Sequence, residues 1–280
     1  MIIDGRQISS EILEDLKKRV EKLNKKGVTP TMAVILIGDQ KASAIYVRQK
    51  EIKAKQVGIN PKVFYFDDKV TNDKIEKLVK KLDNDPKIHG IILQRPAPPH
   101  IKVEEIEESI SPIKEIDGFG INSIYPVPVA AATLKMIENA YENLGIDKPF
   151  INWLKSKKVV VIGKGETGGK TIIQLLQKNG VKPFVVDSKT LDRDKEIKKG
   201  DIVISAVGKS GVVTALNLKK GAILIGVGIF SENGKTKGDY DALEIANIAS
   251  YYSPTPGGVG PVNVSMLMEN VVEACESLSR

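Results

Sequence analysis

Cysteine is almost missing: Cys275 is the only one in 280 residues. That excludes an intrachain disulfide and any cysteine-cluster metal site, and it fits a reducing compartment. No His/Cys/Asp cluster stands at ligand spacing either, so no metal is expected. No apolar run approaches the roughly 18 residues that span a membrane. The N-terminal MIIDGRQISSE has no apolar signal core and carries acids early, so secretion is not expected and a cytoplasmic location is. Internal repeats and low-complexity tracts are absent. Lys and Arg outnumber Asp and Glu by 42 to 35, a net charge of +7. The basic residues are nonetheless interleaved with acids, as in DLKKRVEKLNKK and EKLVKKLDND. Such stretches are solvated helix faces rather than a nucleic-acid stripe. The remaining positive field suits anionic small molecules.

What is present is ordinary globular material. A 41% hydrophobic and 28% charged composition supports two domains with their own cores. Apolar residues Ile12, Leu13, Leu16, Val20 and Leu23 recur at helical spacing over 9–26, and Gly27 and Pro30 end that helix. TMAVILIG (31–38) is a buried strand, 40–57 a helix, KVFYFD a strand, 71–83 a helix opened by Thr71, and HGIILQ (89–94) a strand ended by RPAPPH. A helix near 129–142 leads to a connector with Gly145 and Pro149. A second series then begins: strand 157–163, helix 168–179, and strands 182–186, 201–206 and 222–227. A last helix, about 262–279, follows SPTPGGVGP. Strand–helix alternation predicts an α/β fold of two lobes with parallel sheets. The expected domains are 1–144 with 262–280 packing back on it, and 145–261 as a Rossmann-type dinucleotide-binding domain.

VVVIGKGETGG sets Gly163, Gly165 and Gly168 in G-x-G-x-x-G spacing between a strand and a helix. Gly163 permits the tight turn, Gly165 lets backbone approach a pyrophosphate, and Gly168 is expected to allow close helix–sheet packing. Asp187 ends the following strand about 20 residues on, where an acid bonds a ribose 2′-hydroxyl. A tight turn with no nucleotide is the bland alternative. A P-loop fails, because residue 164 is Lys where that motif needs Gly. Asp187 favours NAD by repelling a 2′-phosphate, whereas Lys164, Ser188 and Lys189 are able to hold that phosphate.

In the first lobe, Tyr46 and Lys50 are four apart on a helix and share a face. Gln94 stands at the C-terminal end of a strand, where open α/β sheets bind ligands. Asp117 lies in the turn-like KEIDGFG. Each alone also has a structural reading, as packing, loop capping or turn shaping. Together the segments carry a resemblance. SAIYVRQKEIKAKQVGI resembles the Tyr-Val-x-x-Lys helix of bifunctional methylenetetrahydrofolate dehydrogenase/cyclohydrolases. GIILQRPAPP is similar to their Gln-Leu-Pro-Leu-Pro segment, KEIDGFG to their Asp-Gly turn, and SPTPGGVGPVNVSMLMEN to their Pro-Gly-Gly-Val-Gly-Pro signature. The matches keep their order over nearly the whole chain.

The resemblance implies oxidation of 5,10-methylenetetrahydrofolate with NADP, then hydrolysis of the methenyl product to 10-formyltetrahydrofolate, in one-carbon metabolism. It implies Lys50 as the central catalytic residue, held by Gln94 and Tyr46, with Tyr46 also stacking on the pterin. Asp117 would bond the pterin nitrogens. Pro256, Gly257, Gly258, Val259 and Gly260 would line the folate site, while Gly163, Lys164, Gly165, Ser188 and Ile229 would contact the cofactor. A homodimer through the cofactor lobe is also implied. The chemistry is coherent: hydride transfer needs orientation above all, and water attack on a methenyl cation needs a group that manages a proton beside it. A lysine near positive charge suits that task.

Departures stand out. Arg95 replaces an apolar residue, Gly163-Lys164-Gly165 replaces Gly-Arg-Ser, Gly226-Val227-Gly228-Ile229-Phe230 replaces Asp-Val-Gly-Ile-Asn, and Val127-Pro128-Val129-Ala130 replaces Pro-Cys-Thr-Pro. Competing readings are a monofunctional dehydrogenase, a nucleotide sensor and a shikimate- or amino-acid-type dehydrogenase. Lys50 with Gln94 argues against the first, the full Tyr46/Lys50/Gln94/Asp117 set against the second, and PGGVGP against the third.

Overall fold

The computed structural model describes residues 1–279, the side chains of Lys41 and Ala42 apart. Arg280, the end of the expected first domain, lies outside the described residues. The first half runs α1 (Gly5–Lys25), β1 (Thr31–Ile37), α2 (Lys41–Val57), β2 (Asn60–Phe66), α3 (Asn72–Asp83), β3 (Gly90–Leu93), α4 (Val103–Glu108) and α5 (Pro128–Glu142). Next come α6 (Phe150–Lys155), β4 (Val159–Ile162), α7 (Gly169–Lys178), β5 (Phe184–Val186), α8 (Arg193–Ile197) and β6 (Ile202–Ser205). The chain finishes with β7 (Ile223–Gly226), β8 (Ile229–Glu232), β9 (Lys235–Gly238), α9 (Ala242–Ile245), β10 (Tyr251–Tyr252) and α10 (Val259–Leu278). The α/β class and the two parallel sheets are those that the alternation predicted.

Two compact units divide the chain: residues 10–128 with 264 onward, and residues 1–9 with 129–263. The first holds a parallel sheet in the order β2-β1-β3. Every residue of β1 is buried, because both faces are covered, as a parallel sheet requires. Met32, Val34 and Leu36 join a core with Leu13, Leu16 and Val20 of α1 and Leu267, Met268 and Val271 of α10. Ala33, Ile35 and Ile37 point the other way, onto Ile75, Val79 and Leu82 of α3 and Ile106 of α4. Each such fully buried aliphatic contributes about 1.5–3 kcal/mol. Local chemistry sets the ends. The Thr71 hydroxyl accepts the Lys74 N–H at 3.4 Å at the start of α3. Gly58 ends α2 in the left-handed region at φ 88°, where only glycine is unstrained.

The second unit holds a sheet in the order β10-β7-β6-β4-β5, all pairs parallel. The N-terminus extends it, Ile3 donating to Tyr252 and Tyr252 to Met1, both at 2.9 Å. From β4 the chain goes to β5 on one side and then to β6 on the other. The crevice at the C-terminal ends of β4 and β6 is therefore a topological switch point. Helix α5 belongs to this unit, its Ala130, Thr133, Leu134 and Ile137 facing Ile172, Leu175 and Leu176 of α7. The change of unit thus falls at 128/129, against a sequence expectation near 145. The sequence reading left out α4, α6, α8, α9 and β8 to β10, all too short to show a period. No helix among the described residues is long and apolar enough to cross a membrane.

Candidate functional site

In the unit of residues 10–128, α2 presents Ser43, Tyr46 and Lys50 at i, i+3 and i+7, one face of the helix. Lys50 is largely enclosed, and its Nζ stands 3.9 Å from Asp117 Oδ1. That is a charge contact rather than a hydrogen bond, so the ammonium keeps its donors. Tyr46 is 44% exposed, and partial burial raises its phenol pKa. The expected hold of Lys50 by Gln94 and Tyr46 is not made. The Gln94 amide instead donates from Nε2 to its neighbour's carbonyl, Arg95 O, at 2.6 Å. Its Oε1 is buried with no partner, as is the Ser43 hydroxyl. Two of the three orphaned buried side-chain polar atoms among the described residues thus fall here, which marks a place where a ligand or a moving side chain completes the bonding.

Asp117 is positioned by a carboxylate that the sequence reading missed. Glu115, only 2% exposed, accepts the N–H groups of Asp117 and Gly118 at Oε1, both at 3.1 Å, and that of Gly120 at Oε2 at 3.3 Å. Burial raises its pKa, while the Ser123 hydrogen bond and the Gly120 N–H pull it down. Gly118 sits at φ 78°, and a Cβ there would meet Val127 N at 2.6 Å, so no other residue fits this turn. Arg95, the unexpected charge, has a partner: buried Glu107 of α4 accepts its Nε at 3.0 Å and its Nη2 at 2.5 Å. The guanidinium also lies over the Phe119 ring, 4.9 Å from its centroid. Burial pushes the Glu107 carboxyl up to about 7, with Arg95 acting in the opposite sense.

In the other unit, the glycine turn stands at the switch point. Gly163 adopts φ 90°, and a Cβ there would meet Ala206 O at 2.6 Å. Gly165 faces open space, as backbone that receives a pyrophosphate must. The close packing expected of Gly168 falls one residue later. A Cβ on Gly169 would meet Gly163 O at 2.0 Å, whereas at Gly168 the nearest atom is an ordinary 3.8 Å away. Asp187 follows β5, and its carboxylate is taken: Lys164 Nζ stands at 2.6 Å and the Lys189 N–H at 2.9 Å. Lys164 first, then that N–H, holds the carboxyl down at about 2. Ser188 is exposed, and Ile229, 47% exposed, opens the β8–β9 hairpin.

A second carboxylate that the sequence reading missed supports this turn. Asp239 is fully buried. Its Oδ2 accepts Ser205 Oγ at 2.6 Å and Val207 N at 2.9 Å; its Oδ1 accepts Gly208 N at 2.7 Å and Lys209 N at 2.9 Å. It thereby fixes the loop whose Ala206 carbonyl faces Gly163. Ser205 lies 34 residues away, so no spacing signal reveals the pair. Of the PGGVG segment, Gly257, Gly258 and Val259 are buried, and Pro256 and Gly260 are exposed. Gly258 O is so close to α1 that a Cβ on Gly5 would fall 1.9 Å from it.

Two family profiles match this chain. "Tetrahydrofolate dehydrogenase/cyclohydrolase, catalytic domain" covers residues 3–117, and "Tetrahydrofolate dehydrogenase/cyclohydrolase, NAD(P)-binding domain" covers 147–279. The bifunctional protein FolD of Halothermothrix orenii is 39% identical over 98% of this chain and 97% of its own. The bifunctional FolD methylenetetrahydrofolate dehydrogenase/cyclohydrolase of Campylobacter jejuni superposes with a TM-score of 0.91 at 32% identity, covering 99% of each chain. The Trypanosoma brucei methylenetetrahydrofolate dehydrogenase-cyclohydrolase, solved with NADP and an inhibitor, has a TM-score of 0.86 at 30% identity. That match covers 100% of this chain and 98% of the other.

Asp239→Asn replaces one acceptor oxygen by an NH2 that must face two donors. It should cost about 1.5–3 kcal/mol of unfolding free energy, read from the denaturant midpoint, and weaken dinucleotide binding. An unchanged midpoint would show that Asp239 does not anchor the loop.

Proposed function

The chain belongs to the tetrahydrofolate dehydrogenase/cyclohydrolase family, and from that premise we propose that it oxidises 5,10-methylenetetrahydrofolate with NADP and hydrolyses the methenyl product to 10-formyltetrahydrofolate. The observation that carries this reading is Lys50 beside Asp117 with the unpaired Gln94 oxygen. These are a cation with free donors, an anion held on a rigid turn and a buried acceptor, in a family whose profile covers all three.

The roles follow from the chemistry of each group. Asp117 takes the pterin's amino and amide N–H groups, because its backbone is fixed by Glu115 and its carboxylate has only the long contact to Lys50 to exchange. Tyr46 offers an exposed ring to stack on the pterin. Gln94 Oε1 accepts an N–H, from Lys50 or from substrate, and orients it without adding charge. Pro256, Gly257, Gly258, Val259 and Gly260 are the proposed second folate-lining segment. Gly163, Lys164, Gly165, Gly168, Asp187, Ser188 and Ile229 are the proposed cofactor set. The open space at Gly165 and the N-terminus of α7 fit a pyrophosphate. The nicotinamide, when bound, supplies the hydride acceptor. Water then adds to the methenyl carbon, Lys50 manages the proton released, and the carbon–N5 bond opens. The unit of residues 10–128 would thus supply the groups for the pterin, and the other those for the dinucleotide together with the Pro256–Gly260 segment. The protein acts in this reading as a cytoplasmic homodimer.

Purified protein with methylenetetrahydrofolate and NADP should form methenyltetrahydrofolate, followed by its absorbance. Lys50→Met should abolish the hydrolysis while oxidation partly survives, since hydride transfer rests on positioning. Hydrolysis at the wild-type rate in that variant would remove Lys50 from the mechanism.

One observation favours a second nucleotide. Lys164 is drawn to Asp187 at 2.6 Å, so a 2′-phosphate must compete for that ammonium and face the carboxylate. The discrimination between NADP and NAD should therefore be modest. Asp187→Ser frees Lys164 and removes the repulsion and the ribose acceptor together. The NADP/NAD ratio of kcat/KM should rise; an unchanged ratio would mean that Asp187 does not face the ribose.

A further inference from the structure

Arg95 puts a charge where the resembled family segment is apolar, and the structure gives that charge a place. Its backbone carbonyl accepts the Gln94 amide at 2.6 Å, which orients that side chain and leaves Oε1 as the free end. Its guanidinium is gripped in a fork by Glu107, itself only 3% exposed, with Nε and Nη2 on the two carboxylate oxygens at 3.0 and 2.5 Å. A bidentate pair of this kind fixes the plane of the guanidinium as well as its position. That plane covers Phe119 at 4.9 Å, two residues beyond Asp117. The weaker contact to Glu104, at 3.3 Å, involves a carboxylate that is 71% exposed and adds little.

The turn that carries Asp117 is thus fixed on three sides. Glu115 binds its N–H groups, Val127 backbone closes against Gly118, and Arg95 covers Phe119. The last tie runs to the segment that follows β3, the one that carries Gln94. We propose that Arg95 is a positioning residue of the folate site, coupling the Gln94 arm to the Asp117 turn through Glu107 and Phe119. The proposal rests on the folate reading above and adds a determinant of substrate affinity to it. An apolar residue at position 95 leaves the carbonyl contact to Gln94 but cannot hold Phe119 by charge.

Because Asp117 would bind substrate before and during reaction alike, loosening its turn should raise KM for the folate and leave kcat nearly unchanged. The test separates that from folding. Arg95→Leu alone strands buried Glu107 and should lower the thermal midpoint. The double variant Arg95→Leu with Glu107→Leu removes both charges and should recover the midpoint, since an apolar pair replaces a buried ion pair at little cost. Its KM for methylenetetrahydrofolate should nonetheless stay roughly tenfold above wild type, with KM for NADP unmoved. Phe119→Ala keeps the ion pair and should reproduce the rise in folate KM if the double variant does not fold. Recovery of folate KM together with the midpoint, or a wild-type folate KM in Phe119→Ala, would make the clamp structural only and overturn the proposal. Absence of any methylenetetrahydrofolate turnover in the wild type would overturn the folate reading, and the proposal with it.

Discussion

Parallel pairing constrains everything else in this molecule. Each strand must be followed by a return path outside the sheet, so within each unit the C-terminal strand ends open on one edge. The loops there leave backbone N–H groups that no ladder can satisfy. Two buried carboxylates meet that demand. Asp239 takes three consecutive N–H groups after β6, and Glu115 takes three around the Asp117 turn. Each holds a loop still without projecting into it. The groups left over at the same edges, namely Gln94 Oε1, the open backbone at Gly165 and the Lys50 ammonium, are those with capacity for a ligand.

This division of labour explains what was legible in the sequence. β1 and β4 are uninterrupted apolar runs, and α1 and α3 show an apolar stripe over several turns, so they and the α/β class emerge from periodicity. Tyr46 and Lys50 share a helix face, and Gly163 and Gly165 share one turn, so their grouping is local. Ser43 carried the same signal, three residues before Tyr46, and was overlooked. Asp239 was not legible in any comparable way, because its partners gather only once β6 and the β8–β9 hairpin are in place. Glu107 likewise meets Arg95 through the fold. Motif spacing assigns the packing role to Gly168, and the fold gives it to Gly169, because spacing cannot say which of two adjacent glycines faces the strand. The Gln94 contact to Lys50, expected from resemblance, is not made: Nε2 donates to the carbonyl of the next residue, and Oε1, the atom an ammonium would need, stays unpaired.

Two charged residues that stand out in the sequence are each paired in the fold. Arg95 comes with Glu107, and Lys164 comes with Asp187. In each case the charge is neutralised within the same unit, which decides which groups a ligand must displace. The cost to ligand binding differs. Glu107 is buried and Arg95 is fixed, so that pair shapes the site. Lys164 is largely exposed, so in the proposed reading that pair bears on nucleotide preference.

The central claim is that the unit of residues 10–128 holds the hydrolytic chemistry in Lys50, Gln94 and Asp117. It is tested most directly without any nucleotide. Purified protein is given methenyltetrahydrofolate alone, and the loss of methenyl absorbance is followed at several protein concentrations. The account predicts a decay faster than in buffer, with a rate proportional to protein. Decay at the buffer rate at every concentration would contradict it.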